Sequence, residues 1–379
     1  MLDFSGAPPK MRGLSCGGAM SEAVRRHYER YPYPHYPLLA SVRTCDTYAL
    51  NLTALWARFN GELPPGEAYT ILIAGCGSFA PYPFSVANPG ASITALDLSE
   101  KSLRRARLHC LLHGCRNVRF QSGDLLDASV ARGPFGLIDA FGVIHHLDDP
   151  LTGLLSLAGR LAPGGIMRVM LYSRYARREE ESIRRAFKMI GVRTTAEVRN
   201  LLKKSTAGSR LHEYARSSPE AGFDAGLADA LLHPRVCTYR IDELLELIRQ
   251  SGLELLRFAH HGALEDVRSE VERIRHLERE QCSPGNFLFY LGRSTRGRCD
   301  AMKDAKLLLN PCLKGVVNGV HLLPVDISPK LGFVNPQLGR RVRSFLRAFR
   351  NPIRYTTLTA EERSVLDDCL KALFLIPYR

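Results

Sequence analysis

Residues 69–79 constrain the fold more than any other part of the chain. The apolar run at 71–74 ends abruptly at Gly75-Cys76-Gly77, which is typical of a buried parallel strand entering a glycine turn. Glycine lets the backbone approach a ligand closely. A second predicted strand, 92–96, ends in Asp97, twenty residues beyond Gly77. A carboxylate at that spacing suits the two hydroxyls of a ribose, so we predict a site for an adenosine-containing ligand.

The glycine turn differs from the turn of dinucleotide-binding domains. It lacks the third glycine that allows tight packing of helix on strand, because Phe79 follows Ser78. Pro81 and Pro83 argue against the start of a helix directly after the turn. Since a pyrophosphate is bound at such a helix N-terminus, the sequence disfavours a dinucleotide.

The motifs that follow occur in an order that resembles the class I S-adenosylmethionine-dependent methyltransferases. They are a third strand at 118–122 closed by Gly123-Asp124-Leu125, a fourth strand at 137–141 followed by Gly142-Val143-Ile144-His145-His146-Leu147, a helix at 151–161, the break Ala162-Pro163-Gly164-Gly165, and a fifth strand at 166–171. The resemblance covers residues 66–175, and segments 253–258 and 286–292 match the last two strands less specifically. It implies an α/β fold with a Rossmann-like, seven-stranded, mostly parallel sheet and helices on both faces.

The same resemblance implies S-adenosyl-L-methionine as the cofactor. The positions that match the family's cofactor-binding motifs are Ala74, Gly75, Cys76, Gly77, Asp97, Leu98, Asp124, Leu125 and Gly142. In the family an acid after the third strand typically contacts the adenine amine, and Asp124 is the matching residue. Gly136 stands where many relatives have an aspartate, and Asp139 is the candidate replacement.

Two adjacent histidines follow the fourth strand, at the sheet edge where ligands bind in open parallel sheets. His145 and His146 are the candidate catalytic residues, because an imidazole can accept a proton from the methyl acceptor. The alternative is that the doublet braces the loop by hydrogen bonding, since it is frequent in the family whatever the substrate. His260 and His261, after the sixth strand, are predicted to be surface or structural residues.

Within the family, the chain is most similar to a bacterial subgroup whose methyltransferase domain sometimes accompanies tetratricopeptide repeats. The similarity rests on Tyr31-Pro32-Tyr33-Pro34-His35-Tyr36-Pro37 before the core and on Met170-Leu171-Tyr172-Ser173-Arg174-Tyr175-Ala176-Arg177 after the fifth strand. No repeat with a period of about 34 residues is present. The resemblance implies that Tyr31, Tyr33 and Tyr36 form a lid over the cofactor cleft, where a tyrosine ring can border a sulfonium. The alternative is a stiff strap that only anchors the N-terminal helix.

The predicted domain organisation has three parts. They are an N-terminal helical and aromatic-proline lid at 1–65, a methyltransferase domain at 66–295 with a helical insertion at 174–235, and a basic C-terminal accessory module at 296–379. In the lid, Ser21 is the predicted cap of a helix that ends at Tyr31, and residues 1–18 are expected to be loosely attached. In the accessory module, short strands are predicted within the proline-punctuated segment 311–336, one of them at 319–324.

Positive charge is concentrated in the accessory module. The chain has a net charge of +14, and residues 296–379 contain 15 Lys and Arg against 7 Asp and Glu. A predicted helix there has an arginine ridge on one face, formed by Arg340, Arg343, Arg347 and Arg350. The ridge predicts an anionic partner, with nucleic acid as one candidate through residues 340–350. The alternative is the solvated face of an amphipathic helix.

Cysteine usage and hydropathy bear on the compartment. The ten cysteines include no C-x-x-C pair, so neither a zinc site nor a disulfide framework is indicated, and we predict no metal. No apolar run reaches the length needed to span a membrane, and the N-terminus lacks a signal pattern. These features predict a cytoplasmic protein without a membrane partner.

The acceptor of the methyl group is left open by the sequence. We expect it to enter between the aromatic segment, the loop after Leu147 and the insertion at 174–235. The subgroup's association with tetratricopeptide repeats favours a protein side chain, and the basic module favours an anionic macromolecule. Nucleic-acid or small-molecule methylation remain alternatives, as does a non-catalytic protein that binds S-adenosylmethionine or RNA.

Overall fold

A central sheet organises the protein, whose computed structural model describes residues 17–297, 299 and 304–379. The loose attachment predicted for the first residues falls mainly outside this part. The strands of the sheet are β1 (Thr70–Ala74), β2 (Ser92–Asp97), β3 (Val118–Ser122), β4 (Phe135–Phe141), β5 (Leu161–Ser173), β6 (Thr238–Tyr239), β7 (Glu254–Phe258) and β8 (Phe287–Gly292). The order across the sheet is β3-β2-β1-β4-β5-β8-β7, and the short β6 pairs with the end of β5.

Strand β1 lies in the middle of this sheet and is buried on both faces. Ile71 and Ile73 pack into the apolar cluster on one side, and Leu72 and Ala74 pack into the cluster on the other. Successive side chains of a strand point to opposite faces, so a strand covered on both sides reads as a continuous apolar run. This is why the segment was recognisable from the sequence.

The order of strands reverses beside β1. It pairs in parallel with β2 on one side and with β4 on the other, while β8 runs antiparallel to β5 and β7. In open parallel sheets, ligands bind at such a reversal, outside the carboxyl ends of the strands. The predicted fold class is confirmed, and the glycine turn lies at the binding edge.

Helices cover both faces of the sheet. The helices up to β8 are α1 (Gly17–Arg30), α2 (Leu52–Asn60), α3 (Pro81–Ala87), α4 (Glu100–Leu112), α5 (Pro150–Gly159), α6 (Arg178–Met189), α7 (Thr195–Lys204), α8 (Arg210–Ser217), α9 (Asp224–Leu227), α10 (Ile241–Ser251) and α11 (Val267–Arg279). The apolar residues of α2, α3 and α4 share a cluster with Ile71, and those of α5, α10 and α11 share one with Leu72.

Four local predictions were wrong. Strand β5 begins at Leu161 and runs through the predicted break at 162–165. Helix α3 begins at Pro81, because the first turn of a helix needs no intrahelical N–H donors and tolerates proline. Ser21 lies inside α1 and is not its cap. Residues 319–324 form no strand. The argument against a dinucleotide that rested on the two prolines therefore fails. The argument from the third glycine fails as well, because Ala80 stands at that position and the motif accepts alanine there.

The segment 174–235 is mostly helical. It contains α6 to α9 and a π-helical turn, Ala228–Leu232, which directly continues α9. Its own small core includes Phe187, Val198 and Leu227. Because the insertion follows β5, it stands beside the carboxyl edge of the sheet, next to the predicted ligand site.

The C-terminal part adds a second sheet. It consists of β9 (Lys306–Leu309), β10 (Ile353–Arg354) and β11 (Leu375–Tyr378) in the order β10-β9-β11, with α12 (Lys314–Asn318), α13 (Arg340–Ala348) and α14 (Ala360–Lys371). Its apolar side packs against the N-terminal helices in one shared core. Phe374 meets the ring of Tyr48 edge-on, with centroids 5.4 Å apart, and the Asn310 amide donates to the Tyr48 carbonyl.

No helix within the described ranges is both long and apolar enough to cross a bilayer.

The shared core predicts that the C-terminal part unfolds together with the N-terminal helices. Phe374 is fully buried, so Phe374→Ala should lower the free energy of unfolding by about 3–5 kcal/mol in urea titrations followed by circular dichroism. Val334→Ala, at a residue that is 84% exposed, is the matched control and should change it by less than about 0.5 kcal/mol. Two separate transitions, with only one shifted by Phe374→Ala, would contradict a shared core.

Candidate active site

A cavity of about 1150 Å³ opens at the carboxyl ends of β1, β2 and β4. Most of the predicted cofactor, lid and catalytic residues line it: Tyr33, Tyr36, Gly75, Cys76, Gly77, Asp97, Leu98, Asp124, Leu125, Gly142 and His146. Ala74, His145 and Tyr31 do not line it. The fold therefore gathers most of the candidate residues in one place, although they span more than a hundred positions of sequence.

The glycine turn is shaped by two left-handed residues. Gly75 and Gly77 have φ of 66° and 56°, which side chains rarely adopt. A Cβ on Gly77 would lie 2.5 Å from the carbonyl oxygen of Tyr33, and one on Gly75 would lie 2.5 Å from the Val143 side chain. The turn thus requires glycine for two reasons, its backbone conformation and the close packing of the neighbouring segments.

Asp97 is the buried acid at the tip of β2. Its Oδ2 accepts from the Gly77 amide at 2.7 Å, and its Oδ1 accepts from the Ser99 amide at 2.8 Å. Burial raises the pKa of this carboxyl to about 6, although both amide donors favour the ionised form. Each oxygen keeps a further lone pair, so the carboxylate can accept from the two hydroxyls of a ribose.

Asp124 lies farther along the cavity, after β3. Its Oδ1 accepts from the Leu126 amide at 2.9 Å, and its Oδ2 accepts from the hydroxyl of Ser21 on α1 at 2.8 Å. Helix α1 therefore closes over this end of the cavity. The serine that the sequence analysis assigned as a helix cap instead holds the helix against the site.

The aromatic-proline segment is fastened to the glycine turn. The Ser78 amide donates to the Tyr33 carbonyl at 3.2 Å, and the Ser78 hydroxyl donates to the Pro34 carbonyl. The ring of Tyr36 packs against Phe79 with centroids 4.4 Å apart. The segment thus forms one wall of the cavity. Tyr31 lies outside the wall and contacts His27 on α1 instead.

Comparison with known sequences points to one enzyme class. A family model described as a methyltransferase domain matches residues 71–165. An uncharacterised protein of Synechococcus sp. is 29% identical over 328 residues, which cover 78% of this chain and 79% of that protein. The ubiquinone biosynthesis O-methyltransferase of Vibrio parahaemolyticus is 33% identical over 95 residues, which cover 25% of this chain and only 40% of that enzyme.

The fold is shared with a solved structure. PKMT2 from Rickettsia typhi, in complex with AdoHcy, aligns with a TM-score of 0.53 and 16% identity over 91% of this chain and 77% of that one. The chain is an S-adenosylmethionine-dependent methyltransferase. The predicted cofactor is thereby confirmed, and the tetratricopeptide-associated subgroup stays a prediction. The glycine turn at Gly77 and the buried carboxylate of Asp97 fit the nucleoside part of that cofactor.

The two predicted catalytic histidines of this methyltransferase lie in different surroundings. His145 is completely buried and stacks on Tyr172 with centroids 3.8 Å apart, outside the cavity lining. His146 lines the cavity, and its Nδ1 lies 2.8 Å from the Arg235 carbonyl, so Nδ1 carries the proton and donates. Burial lowers the pKa of His146 to about 4, which makes it a weak base at neutral pH.

The middle of β4 carries an ion pair. Asp139 is buried and accepts from the Arg168 guanidinium of β5 at 2.6 Å. Gly136, where many relatives have an acid, packs so closely on the Ala68 carbonyl that a Cβ would collide with it. Asp139 therefore has a partner within the protein, and position 136 accommodates only glycine.

The sequence analysis missed Tyr28 and Asp229, which lie at the far end of the cavity. Asp229 lies in the π-helical turn of the insertion, is 5% exposed and accepts from the Tyr28 hydroxyl of α1 at 2.9 Å. Burial raises the pKa of Asp229 to about 6. Single π-helical turns occur often at functional sites, but no sequence pattern marked this one. An aspartate within a helical insertion carries no spacing signal.

A second cavity, of about 800 Å³, adjoins the first. It lies between the aromatic segment and the insertion, and five residues line both cavities: Tyr33, Pro34, Tyr36, Arg177 and Glu220. Arg177 stands between them, with its guanidinium 4.1 Å from the ring centroid of Tyr172 and ion pairs to Glu180 and Glu220. The site therefore has a lateral extension on the side where we expected the acceptor to enter.

The position of Asp97 predicts a charge-dependent affinity for S-adenosylmethionine. Asp97→Asn keeps the size of the side chain but replaces one oxygen by a donor that faces a backbone amide, and it removes the anionic acceptor of ribose hydrogen bonds. Such bonds are worth about 1.5–3 kcal/mol each, so calorimetry should show at least about a tenfold loss. In the parent protein the affinity should be full above the pKa of about 6 and fall as the pH drops through it, because protonation competes with binding.

Glu67→Gln, at an exposed carboxyl before β1, is the matched control for that measurement. It should leave both the affinity and its pH dependence unchanged. An Asp97→Asn variant that binds S-adenosylmethionine as tightly as the parent protein would place the ribose elsewhere.

Proposed function

We propose that this methyltransferase transfers the methyl group to an amine on a side chain of a polypeptide. The observation that carries the proposal is Asp229, a buried carboxylate at the end of the cavity that adjoins the lateral extension. A buried carboxylate without a cationic side chain bonded to it is costly unless a ligand compensates for it.

The contacts of helix α1 support the assignment of one end of the cavity to the nucleoside and the other end to the acceptor. Ser21 contacts Asp124, and Tyr28 contacts Asp229. Seven residues of α-helix correspond to about 10 Å, so the two carboxylates lie at well separated points under one helix. If Asp97 and Asp124 hold the nucleoside, as the resemblance implies, Asp229 lies beyond it on the acceptor side.

The environment of Asp229 suits a cation. Within the described residues, only the Tyr28 hydroxyl donates a hydrogen bond to Asp229, so Oδ2 has capacity for another donor. Arg177 and Arg184 lie near enough to favour its ionised form, but Arg177 is paired with Glu180 and Glu220, and Arg184 donates to the His233 carbonyl. Burial raises the pKa of Tyr28, so its hydroxyl keeps its proton for Asp229 and its lone pairs can accept from an ammonium group.

The chemistry needs a group that holds the amine and takes its proton. S-adenosylmethionine supplies a methyl group already activated by its sulfonium, so the protein has only to align, desolvate and deprotonate the acceptor. Alignment alone can contribute about 7–11 kcal/mol in favourable cases. Asp229, with a pKa of about 6, attracts the ammonium and is a stronger base than His146, with a pKa of about 4.

The lateral extension supports a polymeric acceptor. It is lined by tyrosines such as Tyr175 and Tyr214 and by charged residues of both signs: Glu179, Glu180, Glu220, Arg177 and Arg178. A long side chain that enters from a polypeptide would pass through this extension to reach Asp229.

A small-molecule acceptor is the second candidate, favoured by the ubiquinone biosynthesis O-methyltransferase among the relatives. Nucleic acid has less support, because three arginines of the ridge already donate to groups of the protein. The Nη2 atoms of Arg343, Arg347 and Arg350 bond to the His321 carbonyl, the Val317 carbonyl and the Asn318 side chain.

Labelled methyl transfer into a fractionated bacterial extract distinguishes these acceptors. We expect tritium from S-adenosylmethionine to enter the protein fraction as an N-methyl group that survives alkaline hydrolysis, and Asp97→Asn to remove the incorporation. Label confined to RNA or to small molecules would contradict the proposal, and the distribution between those fractions would identify the alternative.

The role of Asp229 predicts a pH profile. Above its pKa of about 6 the carboxylate is ionised and active, so kcat/KM at saturating S-adenosylmethionine should fall as the pH drops through that value. Asp229→Asn should lower kcat/KM by at least about tenfold and should remove its decrease at low pH. The affinity for S-adenosylmethionine should stay unchanged. Asp224→Asn, at an exposed residue one turn earlier, is the control. Weaker cofactor binding by Asp229→Asn would assign Asp229 to the cofactor instead.

A further inference from the structure

An exposed apolar loop projects from the C-terminal part of the protein. In the segment 319–324, here called the apolar loop, Val320 is 95% exposed, Leu322 91% and Leu323 77%. Three large apolar side chains so close together and so exposed are uncommon on a protein that acts alone in water. We propose that the apolar loop inserts into the interface of an anionic lipid bilayer and holds the methyltransferase at its surface.

The loop is fixed on the protein by the arginine ridge. Arg343 donates to the His321 carbonyl at 2.9 Å, Arg347 donates to the Val317 carbonyl at 2.9 Å, and Arg350 bonds to the Asn318 side chain. Residues at this spacing share one face of α13. The ridge therefore holds the backbone at the base of the loop and leaves its apolar side chains in solvent.

Cations outnumber carboxylates around the loop, where the nearest acid in the sequence, Asp326, accepts from the Gln337 amide. Within the described residues, no carboxylate lies within ion-pair distance of Arg343, Arg347 or Arg350. No aspartate or glutamate occurs at 305–325 or at 338–360 in the sequence. Lys314 on α12 and Arg340 on α13 add two exposed cations. Arg343 is buried, whereas Arg347 and Arg350 are exposed, and their positive charge complements an anionic surface.

A bilayer matches this surface better than a protein groove does. Side chains with 91% and 95% exposure stand at a convex tip, which a fluid interface accommodates without a preformed pocket. Apolar side chains flanked by arginine are the composition of interfacial anchors, in which the apolar part enters the headgroup boundary and the cations meet lipid phosphates. Such docking needs no membrane-spanning helix. None of the loop residues lines either cavity, so the site stays free for its substrates.

Vesicle binding tests the proposal on the full chain. The protein should cosediment with phosphatidylcholine vesicles that contain phosphatidylserine, should bind pure phosphatidylcholine at least about tenfold more weakly, and should be released by added salt. Leu322→Ser combined with Leu323→Ser should weaken binding to the anionic vesicles by at least about tenfold. Leu111→Ser, at a residue of α4 that is 72% exposed, is the matched control and should bind like the parent protein.

Two further measurements make the vesicle experiment decisive. The affinity for S-adenosylmethionine should be the same in the double variant, which shows that the fold is intact. Leu323→Trp should show a blue shift of tryptophan emission only with anionic vesicles, since the single native tryptophan, Trp56, is buried. Absence of vesicle binding by the parent protein would overturn the proposal. So would binding that the double variant retains, and this second result would indicate a polyanion such as RNA as the partner of the arginines.

Discussion

The carboxylate of Asp97 is the constraint on which the site depends. It accepts from the amide of Gly77 after β1 and from the amide of Ser99 before α4, so a single buried side chain ties together the ends of two neighbouring strands. A buried carboxylate without such donors would be very unfavourable. The glycine turn also holds the aromatic-proline segment, through Ser78. The cavity therefore forms only when the sheet, the turn and the N-terminal segment are all in place.

The half of the site that binds cofactor was predictable because its signals are local. The run 71–74 is apolar throughout since β1 is buried on both faces, and the spacing of Gly77 and Asp97 reflects one strand–helix–strand unit. The ends of elements were less predictable. β5 extends from Leu161 to Ser173, well beyond the expected 166–171, because it passes through the glycines after α5 and pairs irregularly with β4. Pro81 opens a helix that we predicted it would prevent.

The acceptor half was invisible in the sequence for a physical reason. Tyr28 and Asp229 are 201 positions apart and meet only because α1 and the insertion pack across the same edge of the sheet. Neither residue belongs to a motif, and the turn that carries Asp229 departs from regular α-helix. The arginine ridge was visible as a periodic pattern, but its role as a support for the apolar loop depends on backbone carbonyls that no pattern reveals.

Helix α1 fixes the spacing between the two ends of the cavity. The helix touches Asp124 near one end of the cavity and Asp229 near the other, so it cannot leave one of them by a rigid tilt without straining its bond to the other. The length of helix between Ser21 and Tyr28, about 10 Å, thereby sets the separation of the two carboxylates. If Asp229 receives the acceptor, this stiff helix acts as a ruler that determines how far the acceptor lies from the nucleoside end of the cavity.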